Sequence, residues 1–137
     1  MKLKFVIVST SENKLSNIKS ELEKDTGEGL IEYSALDLLD ETQVREFVRD
    51  LPRDKNLYWV QCVGLGAGSY KLKDDNPYLP LEDIPLELLE KESQIILSAT
   101  HLMMREMLPI FKKQDESRII IISSMSAIRG YSYGGTH

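Results

Sequence analysis

Two kinds of hydrophobic pattern alternate along the chain, and their order constrains the fold more than any other feature of the sequence. Short runs rich in β-branched residues are typical of strands that are covered on both faces. Longer segments that repeat apolar residues every three or four positions are typical of amphipathic helices. The strand-like runs are residues 3–8, 30–36, 57–63 and 118–122. The predicted order is therefore β-α-β-α-β-loop-α-β.

Capping residues mark the ends of the helical segments. Ser11 precedes the first helical pattern and Gly27 follows it, as expected for an N-cap and a C-terminal stop. Asp40 stands in the N-cap position of the second helix. Pro85 suits the first position of the longest pattern, which covers residues 86–111. We therefore predict three helices between four strands.

The connections between the strands are long enough for parallel pairing. Right-handed crossovers then favour an open parallel sheet with helices on both faces. Numbered along the chain, the strands take the order 2-1-3-4, and the reversal between strands 1 and 3 forms a crevice at their carboxyl ends. A length of 137 residues with 42% hydrophobic residues suits one hydrophobic core. We predict a single domain over residues 1–137.

Charge and cysteine content exclude several classes of function. With 17 basic and 22 acidic residues the net charge is −5, so no basic field is present to hold a phosphate backbone, and nucleic acid is not an expected partner. No apolar run reaches membrane-spanning length. Cys62 is the single cysteine, and no Cys/His cluster has metal-ligand spacing. We expect a soluble, cytoplasmic protein without a membrane partner or a bound metal.

A glycine-rich segment follows the third strand. Gly64, Gly66 and Gly68 would let the backbone approach a phosphate or ribose closely, because they carry no Cβ. Glycines at a strand end also form ordinary turns, and no helix follows promptly, so the dinucleotide-binding fingerprint is not met. Both interpretations stay open.

Polar residues also end two of the predicted strands. Asp37 after strand 2 could accept a hydrogen bond from a nucleotide amine, or it could be ordinary turn chemistry. Ser123 and Ser124 end strand 4 at the edge where α/β enzymes place reactive groups. His101 and His137 are the only histidines and no Gly-x-Ser-x-Gly motif occurs, so a hydrolase triad is poorly supported.

Several of these segments together resemble the short-chain dehydrogenase/reductase family. Residues 5–22, FVIVSTSENKLSNIKSEL, look like the family's second strand and following helix, where the residue at Thr10 helps to choose between NAD and NADP. Residues 35–48, ALDLLDETQVREFV, are similar to the third-strand segment. There the resemblance implies that Asp37 contacts adenine and that Leu38 lines the adenine pocket.

Two further segments carry the resemblance. Residues 63–69, VGLGAGS, stand where the family has Asn-Asn-Ala-Gly, of which the Ala-Gly pair is retained. Residues 118–130, RIIIISSMSAIRG, look like the family's serine-bearing strand, and Ser124 would then be the catalytic serine that holds the substrate carbonyl oxygen. The resemblance also implies cofactor contacts by Gly66, Ala67 and Gly68.

The resemblance implies a Rossmann-like three-layer sandwich that binds NAD or NADP and transfers hydride between nicotinamide and a carbonyl or alcohol. The family's Thr-Gly-x-x-x-Gly-x-Gly turn has no counterpart here, and its helix asparagine falls near Ile96. Its Tyr-x-x-x-Lys pair would begin at or beyond His137. We therefore expect a truncated relative that is inactive alone, because the tyrosine is the family's general acid and base.

Two alternatives follow from the same residues. The chain could be a non-catalytic flavodoxin-like module that binds a nucleotide or a protein, or one part of a split enzyme. We also expect a homo-oligomer that forms through the 86–111 helix, because that helix would lack the family's next helix as a cover.

Overall fold

The computed structural model describes residues 4–64, 81–124 and 128–129. The chain divides into two compact units, Met1–Pro52 and Arg53–His137. Each unit contains one pair of parallel strands together with helices. The prediction that residues 1–137 form a single domain stays a prediction.

The first unit contains two strands and two helices in alternation. They are β1 (Phe5–Ser9), α1 (Glu12–Thr26), β2 (Ile31–Ala35) and α2 (Glu41–Asp50). β1 pairs with β2 in parallel, with Phe5 opposite Ile31 and Ser9 opposite Ala35. α1 packs against β2 and buries Leu15, which is 2% exposed. The first two predicted strands and helices are thereby confirmed, with ends that differ by one or two residues.

The predicted capping residues fix both helices of this unit. The Ser11 hydroxyl accepts the backbone N–H of Lys14, and Gly27 ends α1 with a φ of +87°, which favours glycine. At α2 the Asp40 carboxylate accepts the backbone N–H groups of the second and third helical residues at 2.9 and 3.1 Å. The starts of α1 and α2 could therefore be predicted from single capping residues.

The second unit contains the other two strands and the longest helical segment. Its elements are β3 (Tyr58–Gln61), a 3-10 turn (Leu81–Asp83), α3 (Leu86–Ser93), a π-helical turn (Gln94–Ser98), α4 (Ala99–Phe111) and β4 (Arg118–Ile121). β3 and β4 pair in parallel. The predicted helix over 86–111 is thus two α-helices joined by a π-turn. The apolar pattern runs on through this turn, because a π-turn adds one residue without interrupting the helix.

The core of the second unit lies along α4. Its buried side chains are Ala99, Leu102, Met103, Met107, Ile110 and Phe111. On β3, Trp59 and Gln61 are buried whereas Tyr58 and Val60 are exposed. The Gln61 amide donates to the Thr100 hydroxyl at 3.1 Å, so the buried face of β3 is the one that faces α4.

The burial of β4 differs from the prediction. The isoleucine run predicted a central strand covered on both faces, yet Ile120, Ile121 and Ile122 are 50%, 50% and 57% exposed. Within the described part of the chain β4 has a ladder partner on one side only, and α4 lies on one face of the pair. Cys62, predicted inside a buried strand, is exposed because it continues the alternation of β3, in which Tyr58 and Val60 are exposed whereas Trp59 and Gln61 are buried.

The predicted strand order contains two outer neighbours, strand 2 beside strand 1 and strand 3 beside strand 4. Both are present as parallel ladders. The pairing of strand 1 with strand 3 stays a prediction. Among the described residues, no helix is both long enough and apolar enough to cross a membrane.

Candidate functional site

Three of the predicted site residues lie at one edge of the first strand pair. The strands end level with each other, and the ladder continues through the Leu36 N–H, which donates to the Ser9 carbonyl at 3.0 Å. Thr10 follows β1 directly, and Asp37 and Leu38 follow β2. Because the strands are parallel, both loops leave at the same edge, where α/β proteins bind ligands. Thr10 and Asp37 are exposed and Leu38 is half-buried.

Hydrogen bonds within a few residues hold the loop that contains Asp37. Asp37 Oδ1 accepts the backbone N–H of Leu39 at 2.9 Å, and the Asp37 N–H donates to Gln43 Oε1 at 3.0 Å. The Gln43 amide in turn donates to Asp40 Oδ2 at 2.8 Å. The turn chemistry weighed for Asp37 is therefore present, and the loop is tied to the start of α2.

The donors around Asp40 fix its charge. Its pKa lies below the usual aspartate value, chiefly because the backbone N–H of Gln43 and then the Gln43 side chain donate to the carboxylate. The N-cap of α2 therefore stays ionised at neutral pH. The same carboxylate ties the loop before α2 to the backbone of Thr42 and Gln43.

The site at this edge offers three kinds of contact. Thr10 presents a hydroxyl, Asp37 a carboxylate and Leu38 an apolar side chain. A hydroxyl can bond a sugar oxygen, a carboxylate can accept from an exocyclic amine, and a half-buried leucine can pack on a flat ring. These three groups suit an adenosine. They do not include the Thr-Gly-x-x-x-Gly-x-Gly turn, which does not occur in the 137 residues.

Ser124 lies beyond the end of the second strand pair. The β3–β4 ladder extends by one bond, from the Ile122 N–H to the Gln61 carbonyl at 2.9 Å, and Ser123 and Ser124 follow as exposed residues. Ser124 is thus at a strand's carboxyl edge, as the sequence predicted. Gly66, Ala67 and Gly68 lie outside the described residues.

The position that the resemblance assigned to the family's asparagine is in the π-turn. Ile96 is 37% exposed there, and its carbonyl accepts the Thr100 hydroxyl. His101, which could have served as a base, is an exposed residue of α4.

Sequence reasoning missed two buried polar residues of the second unit. Gln61 is 4% exposed and Glu92 is 2% exposed. Gln61 interrupts an otherwise apolar run from 57 to 63, and this was the signal that could have found it. Its partner Thr100 is 39 residues away, which no local pattern shows.

The family comparison favours one of the interpretations that the sequence left open. The family model of short chain dehydrogenases matches residues 1–136. The chain belongs to the short-chain dehydrogenase family. A comparison with curated proteins gives no match.

Solved structures of short-chain dehydrogenases share its fold. Serine dehydrogenase from Escherichia coli is 20% identical, with a TM-score of 0.76 over 98% of this chain and 56% of that one. A short-chain dehydrogenase/reductase from Vibrio parahaemolyticus is 21% identical, with a TM-score of 0.71 over 96% of this chain and 54% of that one. The closed form of serine dehydrogenase complexed with NADP+ is 20% identical, with a TM-score of 0.73 over 98% and 49%.

These likenesses confirm the predicted Rossmann-like α/β fold. This short-chain dehydrogenase chain spans about half the length of the solved structures that it matches. The family match favours the dehydrogenase interpretation over a flavodoxin-like module.

Proposed function

We propose that this chain carries the adenosine-binding part of an NAD(P)-dependent short-chain oxidoreductase. The observation that supports this most is the shared strand edge of Thr10, Asp37 and Leu38. The Asp37 carboxylate accepts a hydrogen bond from the adenine amine, and Leu38 packs against the ring. Thr10 stands beside the ribose and helps to choose between NAD and NADP. One solved neighbour is a complex with NADP+.

The proposed reaction of the whole protein is oxidoreduction of a carbonyl or alcohol. The nicotinamide, when bound, supplies or accepts the hydride. In this chain the Ser124 hydroxyl donates a hydrogen bond to the substrate carbonyl oxygen and orients it, and the backbone at Gly66, Ala67 and Gly68 contacts the cofactor. No Tyr-x-x-x-Lys occurs in the 137 residues, so we expect no turnover from this chain alone.

The test compares two nucleotides that differ at the adenine amine. Adenosine monophosphate carries the amine that Asp37 would accept from, and inosine monophosphate carries an oxygen there. Asp37→Asn keeps the oxygen that accepts the Leu39 N–H and replaces the other by an amide donor. We expect the wild-type chain to prefer adenosine monophosphate and the variant to lower that preference about tenfold. Isothermal titration of both nucleotides measures the ratio.

The matched control is Asp25→Asn, which removes an exposed carboxylate at the far end of α1. It should leave the preference unchanged within about twofold. An equal preference in wild type and Asp37→Asn would refute the adenine contact. Absence of binding of either nucleotide at millimolar concentration would refute the proposed function.

We also propose that the chain forms a homo-oligomer through residues 86–111. The exposed apolar side chains of that segment are confined to its first half, where Leu86, Leu89 and Leu97 are 64%, 45% and 68% exposed. Exposed apolar surface of this kind favours association. We expect a dimer in sedimentation at micromolar concentration and a monomer for Leu89→Glu/Leu97→Glu. Ile128→Glu, at a residue 76% exposed outside the segment, is the control, and a monomeric wild type would contradict the proposal.

A further inference from the structure

An open groove of about 400 Å³ lies between β2 and α2, and all of its lining residues belong to Met1–Pro52. Gln43, Glu46, Phe47 and Asp50 line it from α2. Their spacing of three, four and seven positions places them on one face of the helix. The other stripe of α2, Val44 and Val48, is buried instead. The groove is therefore bordered by the face of α2 that does not pack into the core.

The opposite side of the groove is the outer edge of β2. The Phe5 N–H donates to the Leu30 carbonyl and the Leu36 N–H donates to the Ser9 carbonyl, so even-numbered residues of β2 bond to β1. In a parallel ladder the alternate residues turn their N–H and C=O groups the other way. These are Tyr33 and Ala35, and both line the groove. Among the described residues β1 is the only ladder partner of β2.

The groove is acidic with an apolar wall. Its lining includes three carboxylates, of Glu32, Glu46 and Asp50, and no lysine, arginine or histidine. Lys4 pairs with Glu32 at 3.1 Å and Arg49 with Asp50 at 2.9 Å, but both pairs are largely exposed. Such pairs contribute little and a competing cation can replace them. The apolar wall is formed by Val6, Phe47, Leu51 and Pro52.

We propose that this groove binds an extended, basic segment of another protein, which pairs with the edge of β2 as an additional strand. The N–H and C=O groups of Tyr33 and Ala35 bond to the backbone of that segment. Its apolar side chains pack on Phe47 and Leu51, and its lysine or arginine side chains reach Glu46 and Asp50. Thr10, Asp37 and Leu38 are not among the lining residues, so the inference does not rest on the nucleotide site.

The first test uses synthetic heptapeptides titrated into the 15N-labelled 137-residue chain. Threonine stands at every second position, and valine alternates with lysine or with glutamate at the positions between, so that both kinds of side chain lie on one face of the added strand. We expect the lysine peptide to shift the amide resonances of Tyr33 and Ala35 more than that of Ser34, whose N–H faces β1. The glutamate peptide should cause no such shift. A lysine peptide that is N-methylated at alternate residues should bind at least about tenfold more weakly, because it loses its edge-facing donors.

The second test removes the charges on the groove. Glu46→Gln/Asp50→Asn should weaken binding of the lysine peptide about fivefold. The matched control is Glu21→Gln/Asp25→Asn, an exposed carboxylate pair with the same spacing on α1, which should leave binding unchanged. Equal binding of the two peptides, an unaffected double variant, or no binding at about 1 mM would each overturn the proposal.

Discussion

The two parallel strand pairs end in loops that are held in different ways. After β2, three side chains within seven residues, Asp37, Asp40 and Gln43, close the loop by bonds to each other and to nearby backbone. In the second unit the corresponding ties are distant. Gln61 reaches Thr100, and Gln114 bonds Leu57 at 2.9 Å and Lys55 at 2.7 Å. The loop after β2 is thus held by local contacts, whereas β3 is tied at both of its ends by contacts that close long loops.

The largest expected effect tests whether this difference extends to unfolding. Leu15→Ala in the first unit and Met107→Ala in the second each remove a buried side chain, 2% and 4% exposed, and should each lower the unfolding free energy by about 2–5 kcal/mol. Urea unfolding is followed by far-ultraviolet circular dichroism and by fluorescence of Trp59. Because Trp59 is the only tryptophan and lies in the second unit, its fluorescence reports that unit alone.

The two signals decide whether residues 1–137 unfold as one domain. If residues 1–137 unfold as one domain, Leu15→Ala shifts the urea midpoint measured by Trp59 fluorescence as far as the midpoint measured by circular dichroism. A Trp59 midpoint that stays at the wild-type value would show that the predicted single domain is wrong. Ile18→Ala, on the same helix but at a residue 44% exposed, is the control and should cost less than about 1 kcal/mol.

The same division explains how much could be predicted from the sequence. Ser11, Gly27 and Asp40 act on backbone within three or four residues, so their helix ends were readable directly. The burial of Gln61 could not be predicted in this way, because its partner Thr100 lies on a different element. The exposure of Ile120 could not be predicted either, since an isoleucine run indicates a strand but does not show how many neighbouring elements cover it.

The candidate sites divide in a similar way. The edge that holds Thr10 and Asp37 follows from parallel pairing alone, which the alternating pattern predicts. The turn bond from Asp37 to Leu39 was one of the two interpretations weighed. The groove beside β2 had no sequence signal, because it depends on how far α2 stands from the strand. The π-turn before Ala99 was equally hidden, since the apolar pattern continues across it.

The smallest expected effect concerns the local ties of the first unit and their dependence on pH. Asp40 has a lowered pKa in the folded chain, mainly through the N–H of Gln43. Its stabilising contribution is therefore complete above the pKa of the unfolded chain, about 4, and is lost as the pH falls through the lower folded value. Asp40→Asn keeps a capping oxygen but does not titrate, so the stability difference between wild type and variant should shrink below about pH 4.

Urea midpoints measured from pH 6 to pH 3 give this difference, and Asp25→Asn measures the effect of net charge alone. A difference that stays constant over the whole range would mean that the bonds from Gln43 do not favour the ionised carboxylate, and the loop before α2 would then not be held by charge.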